Sequence, residues 1–159
     1  MGIAVTPVQL VTAVLVIANK GELVQPYVVD KIVESDGTEI SKETKKVRQV
    51  LSQETANTLV DMMVSVVERG HGKRAAVNGY WVAGKTGTAQ VPDPEKSGYL
   101  EGVNIGSFVG FAPAHNPKFV MLVKIDKPKA VEWAETSAAP VFGEMSEWLL
   151  SYFQVPKER

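Results

Sequence analysis

Apolar residues recur along this chain first at helical spacing, then in strand-like runs. Val8, Val11, Val14, Leu15 and Ala18 fall on one face at a 3.6-residue period. Thr6 is a good N-cap, Pro7 suits the first helical position, and Gln9 stands where a capping box needs it. A helix is therefore expected from Thr6 to a stop at Gly21. Pro26 to Glu34 is rich in β-branched residues and reads as a strand, followed by the hairpin signal Asp36-Gly37. Ser41 to Arg48 is polar and lysine-rich, a solvated loop or edge, and Val47 to Leu51 is a candidate returning strand. Ser52 caps a second helix whose apolar stripe is Ala56, Leu59, Val60, Met63, Val66 and Val67, with Gly70 ending it. The Met62-Met63 pair reads as core filling. Residues 70–74 form a glycine-rich turn.

From Gly79 onward the spacing changes. Tyr80 to Val91, Val103 to Ala112 and Phe119 to Ile125 read as three strands. The near-continuous apolar run of the third predicts burial on both faces and hence a central position. The short Pro113-Ala114-His115-Asn116-Pro117 connection favours antiparallel neighbours. A last helix is expected from Ser137 to Phe153, with Val141, Met145, Trp148, Leu149 and Tyr152 on its buried side and Trp148, Tyr152 and Phe153 in the core. The fold class is α+β, an antiparallel β-sheet with packed helices.

Composition narrows the chemistry. The 159 residues are 45% hydrophobic and 22% charged, the balance of a globular chain, and no cysteine is present. Thiolate metal sites, disulfides and cysteine nucleophiles are thereby excluded. A net charge of -1 argues against nucleic acid or an anionic membrane surface as partner. The apolar stretch Ala13 to Ala18 is far short of the roughly 20 residues a spanning helix needs. Because the chain opens almost directly into a helix, it reads as truncated.

Residues 79–86, Gly-Tyr-Trp-Val-Ala-Gly-Lys-Thr, satisfy the phosphate-loop pattern G-x-x-x-x-G-K-[ST] letter for letter. That pattern works only as a flexible loop opening a helix whose N-terminus faces the phosphates. Here Tyr, Trp, Val and Ala prefer a strand, and Pro92 and Pro94 forbid a long helix beyond. The match is refused.

Lys85-Thr86-Gly87-Thr88 inside a strand needs another explanation. The bland one is an edge strand with a lysine that discourages aggregation. The sharper one is a cleft wall: glycine admits close approach, lysine supplies positive charge, and threonines offer hydroxyls to a carboxylate. Alternation places Lys85 and Gly87 on one face and Thr86 and Thr88 on the other. Both sets serve one ligand only if it lies along the strand's edge.

Lys85-Thr86-Gly87 resembles the third signature motif of penicillin-binding proteins and serine β-lactamases. The context strengthens it: residues 2–10 (GIAVTPVQL), 17–21 (IANKG), 82–90 (VAGKTGTAQ), 107–113 (SFVGFAP) and 138–142 (AAPVF). In that order, residues 1–156 are similar to the C-terminal portion of a class B penicillin-binding transpeptidase domain. The resemblance implies that Lys85, Thr86 and Thr88 bind the carboxylate of a peptidoglycan stem peptide or a β-lactam, with Gly87 giving room. It implies that the Thr88 backbone N–H is half of an oxyanion hole, and that no cofactor or metal is needed. The parent protein would be anchored in the inner membrane through a segment outside this chain, its transpeptidase domain facing the periplasm and building cell wall. None of the nine serines has a lysine three positions on, so the family's Ser-x-x-Lys nucleophile motif is absent, as is Ser-x-Asn. The expectation is a fragment inactive alone, which self-associates or is held by the missing half. The alternatives are an inactive scaffold of the same fold, or a β-lactamase or D,D-carboxypeptidase.

Three other features carry weaker signals. His71 and His115 sit in turn-like sequence and read as surface residues. Ser107 lacks a nucleophile-elbow pattern and reads as a strand residue beside Lys85. Glu132 and Glu135 suggest acid/base work but read as an exposed loop.

Overall fold

The computed structural model describes residues 3–159, and its architecture is helix–sheet–helix. Helix α1 (Pro7–Ala18) begins as its sequence dictates. The Thr6 side chain accepts from the Gln9 N–H, and the Gln9 side chain accepts from the Thr6 N–H. Its buried residues are Val14 and Val16, while Val8 is exposed. Helix α2 (Gln53–Arg69) is capped by Ser52, which accepts from the Thr55 N–H. Ala56, Val60 and Val67 are its buried residues. Met62 points outward, against the expectation of core filling.

Strands β1 (Glu22–Val24), β2 (Lys31–Val33), β3 (Glu39–Ser41) and β4 (Lys46–Gln49) lie between those helices. The Asp36-Gly37 hairpin forms, with Gly37 at φ 88°, and pairs β2 with β3. The expected strand over residues 26–34 shrinks to Lys31–Val33, and Val28 is 99% exposed. With no layer to cover them, β-branched side chains gain nothing from a longer strand. The returning strand, β4, pairs with β1 instead and closes on a Glu22–Lys46 ion pair.

Strands β5 (Ala83–Pro92), β6 (Tyr99–Ala112) and β7 (Phe119–Asp126) form one antiparallel sheet in the order β5-β6-β7. The central strand is therefore β6, not β7. The apolar run of β7 does mark two-sided packing. Phe119, Met121, Val123 and Ile125 meet the core shared with helix α3 (Ala138–Tyr152), and Val120 and Leu122 meet the core under α1 and α2. Two covered faces do not require two paired edges, and among the described residues β7 pairs only with β6.

Phe108 and Phe142 anchor the first core, both fully buried with ring centroids 4.7 Å apart. Val109, Phe111, Ala83 and Val60 build the second. Helix α3 is rotated from the expected orientation. Ala138, Ala139, Phe142, Gly143, Ser146 and Leu150 face inward. Val141, Met145, Trp148 and Tyr152 are exposed, Trp148 by 63% and Tyr152 by 67%, and Phe153 is outside the core too. Small residues win the inner face because they let the helix backbone approach closely enough for Phe142 to reach Phe108. No helix of the described residues is long and apolar enough to cross a membrane.

Candidate active site

Strand β5 leaves its lead-in under restraint. The Tyr80 hydroxyl donates to Val155 O at 2.6 Å, and the Trp81 N–H donates to Glu158 Oε2 at 2.9 Å. Arg159 lies 3.8 Å over the Trp81 ring and reaches Glu68 of α2 with two hydrogen bonds, 2.8 and 3.0 Å. The Arg159 guanidinium holds the Glu68 carboxyl below the usual carboxylate range. The C-terminal tail thus fixes the chain just before the Lys85 segment, and no helix follows Thr86, which disposes of the phosphate-loop pattern.

Register sets which side each residue faces. Thr86 pairs with Phe108 and Thr88 with Gly106; Lys85 pairs with Val109 and Gly87 with Ser107. The two threonines accordingly share the α3 side of the sheet, as alternation predicts. Gly87 O accepts from the Ser107 hydroxyl at 3.2 Å, on the β6 side, so Ser107 is a strand neighbour of the Lys85 strand as expected. Lys85 Nζ curls back to donate to Thr86 O at 2.9 Å and to Thr86 Oγ1 at 3.4 Å. Thr86 O is thus turned to the free edge of the sheet, and the two-residue alternation turns the Thr88 N–H the same way. A Cβ on Gly87 would meet only the Ser107 hydroxyl, at 2.7 Å, so the glycine keeps this surface shallow.

Thr86 and Thr88 open on a pocket of about 410 Å³ whose other walls are His71, Trp133, Ala134 and Glu135. The loop 131–137 is moored to the sheet. The Ala134 N–H donates to Thr88 Oγ1 at 3.3 Å, and the Ser137 hydroxyl donates to Trp133 O at 2.9 Å. Gly106 admits this close approach, because a Cβ there would stand 2.5 Å from Ser137 Oγ. His71 bonds Glu135 at 2.7 Å across the pocket. Reading His71 as a plain surface turn and Glu135 as plain loop missed this pair. The two lie 64 positions apart, and no local pattern connects them. Glu132 and His115 take no part in this pocket, and Asp93 to Gly98 closes as a tight β5–β6 hairpin. Among the described residues no group of histidine and acidic side chains could hold a metal ion.

What the arrangement offers is an edge strand carrying one ammonium, two hydroxyls on a common face and a free backbone donor. Comparison with known proteins bears on the family. The family described as penicillin binding protein transpeptidase domain matches residues 1–147. Penicillin-binding protein PbpB of Mycolicibacterium smegmatis is 38% identical over 98% of this chain and 25% of its own length. Stage V sporulation protein D of Bacillus subtilis is 40% identical over 91% of this chain and 22% of its own. Penicillin-binding protein 3 of Mycobacterium tuberculosis, solved with ampicillin, superposes with a TM-score of 0.89 at 32% identity, covering 99% of this chain and 37% of that one. The chain spans about a quarter of the length of the curated relatives it matches. Motif, register and relatives converge: the chain belongs to the penicillin-binding protein transpeptidase family, in its class B branch.

Proposed function

We propose that residues 1–156 are the C-terminal portion of a peptidoglycan D,D-transpeptidase domain and supply its carboxylate- and oxyanion-binding wall. The observation that carries this reading is the edge strand β5. Thr86 and Thr88 share one pocket, the Lys85 ammonium rests on Thr86, and the Thr88 N–H is turned outward. A peptide ending in D-Ala-D-Ala lies along that edge with its carboxylate on the two hydroxyls, near the Lys85 charge.

The reaction is acyl transfer. A serine Oγ, carried by the longer protein outside this chain, bonds to the penultimate D-Ala carbonyl carbon as the proton of that hydroxyl passes to a base. The Thr88 N–H donates to the oxygen that gains charge. The C–N bond breaks, the terminal D-Ala leaves with a proton, and an amine from a neighbouring stem peptide then displaces the serine. A β-lactam follows the first half of this course and stops. Lys85 acts as a fixed positive charge, Thr86 and Thr88 as hydroxyl donors to the carboxylate, and no cofactor takes part. The domain would face the extracytoplasmic side, where peptidoglycan is, in a protein held to the membrane by a segment outside these residues.

Fluorescent penicillin labelling of the full-length protein tests the reading. Covalent labelling is expected for the full-length protein and none for residues 1–159 alone. A full-length protein that does not label would favour an inactive scaffold. Lys85→Ala in the full-length protein is expected to slow acylation by roughly a hundredfold, the scale of losing one pre-organised charge or donor; an unchanged rate would remove Lys85 from the site.

A further inference from the structure

A pocket that receives a carboxylate should not present a bare carboxylate of its own, yet Glu135 lines it together with Thr86 and Thr88. Its side chain is 41% exposed, so solvent weakens but does not abolish the field it casts. Two like charges on one small pocket oppose each other by an amount that depends on what else neutralises them.

The candidates for that task are few. Lys73 and Arg74 of the short turn after α2 share a second cavity with His71 and Glu135, but neither bonds the carboxylate. Lys85 bonds Thr86 O and Oγ1 and not Glu135, so its charge is left for the ligand's carboxylate. His71 bonds Glu135 directly, Nδ1 to Oε2 at 2.7 Å. An ionised carboxylate only accepts, so Nδ1 carries the proton and donates it into the bond.

We propose that His71 restrains the charge of the Thr86–Thr88 pocket: its Nδ1–H holds the Glu135 carboxylate on the His71 side, so that an anionic ligand can settle opposite. The inference rests on the transpeptidase reading and deepens it by naming what tunes the pocket for carboxylates. It differs from a mechanical role, in which the pair merely ties the turn at residue 71 to the loop 131–137. The two differ in sign. Removing Glu135 relieves the pocket if its charge is the problem, and loosens the pocket if its bond is the point.

The test measures benzylpenicillin acylation rates of the full-length protein and its His71→Ala, Glu135→Gln and doubly substituted forms, in low salt and in molar salt. His71→Ala is expected to be slower by roughly three- to tenfold in low salt, as a like charge at pocket distance implies. Glu135→Gln is expected to be roughly twofold faster, since it removes a charge only partly masked. The double form should return to the rate of Glu135→Gln, and molar salt should shrink the His71→Ala defect. A Glu135→Gln form as slow as His71→Ala would overturn the proposal in favour of a mechanical tie. So would an unchanged His71→Ala form, or a defect that neither salt nor the second substitution corrects. If the unsubstituted full-length protein does not acylate, the transpeptidase reading itself falls, and this inference with it.

Discussion

Residues 22–49 and residues 83–126 are both antiparallel β-structure with tight turns, and they hold their shape by different means. In the first, every residue of β2, β3 and β4 is exposed, and Ile32 faces Ile40 with neither in a buried core. What orders it is local: the Asp36-Gly37 turn, a Lys31–Glu39 ion pair at 2.8 Å and short ladders. In the second, both faces of β6 and β7 are covered by cores. A one-residue slip there would turn Phe108 and Phe111 away from their layers, so burial fixes the register. Register is what the site requires, since the same slip would move Thr86 and Thr88 to the wrong face. The family's signature strand belongs on the covered sheet for that reason.

Truncating one side chain in each region breaks the comparison most sharply. Phe108→Ala removes a fully buried ring that packs on Phe142 and should destabilise by about 3–5 kcal/mol. Ile32→Ala, 55% exposed, should cost under about 1 kcal/mol. Denaturant unfolding of both variants decides it. Comparable losses would mean that the hairpins are packed against something and that the contrast is false.

The contrast also explains what could be read from the sequence. The caps of α1 and α2, the Asp36-Gly37 turn and the Lys85–Thr88 strand are local, and short-range residue chemistry predicts each of them. The sidedness of Thr86 and Thr88 followed from alternation alone. Helix α3 defeated the same logic. A period analysis weights large apolar side chains, so it chose Met145, Trp148 and Tyr152, whereas close packing chose Ala138, Ala139, Gly143 and Ser146. The Trp148 and Tyr152 rings stack on each other outside, centroids 5.3 Å apart. The His71–Glu135 and Glu68–Arg159 pairs join residues far apart in sequence, and only the folded chain brings them together.

A second measurement sharpens the role of the tail in the covered region. Glu68 is held below the usual carboxylate range chiefly by its hydrogen bonds with Arg159. A depressed folded value means that the stabilisation is present above the unfolded carboxylate value and is lost as pH falls through the folded one. Arg159→Ala should therefore cost at most about 1 kcal/mol near neutrality, the scale of a partly exposed pair, and the difference from the parent should vanish in acid. Stability curves from pH 7 to pH 2 for the two proteins would show it, and a gap that persists in acid would assign the tail's effect to the Arg159–Trp81 contact instead.

The smallest effect is expected in the exposed region. The Asp36 carboxyl is lowered chiefly by the Thr38 N–H, which donates to Oδ1 at 2.9 Å. The sign is the same as for Glu68: the turn gains from the ionised carboxylate above its ordinary range and loses that support as pH drops through the lowered value. The two regions nevertheless should respond differently. With no core over β2 and β3, protonating Asp36 should loosen only residues 31–41, and amide exchange there should quicken while the amides of β6 stay protected. If the amides of β6 lose protection at the same pH as those of the hairpin, the two regions are one cooperative unit. The exposed hairpin would then contribute to holding the register of the sheet that carries Lys85, Thr86 and Thr88.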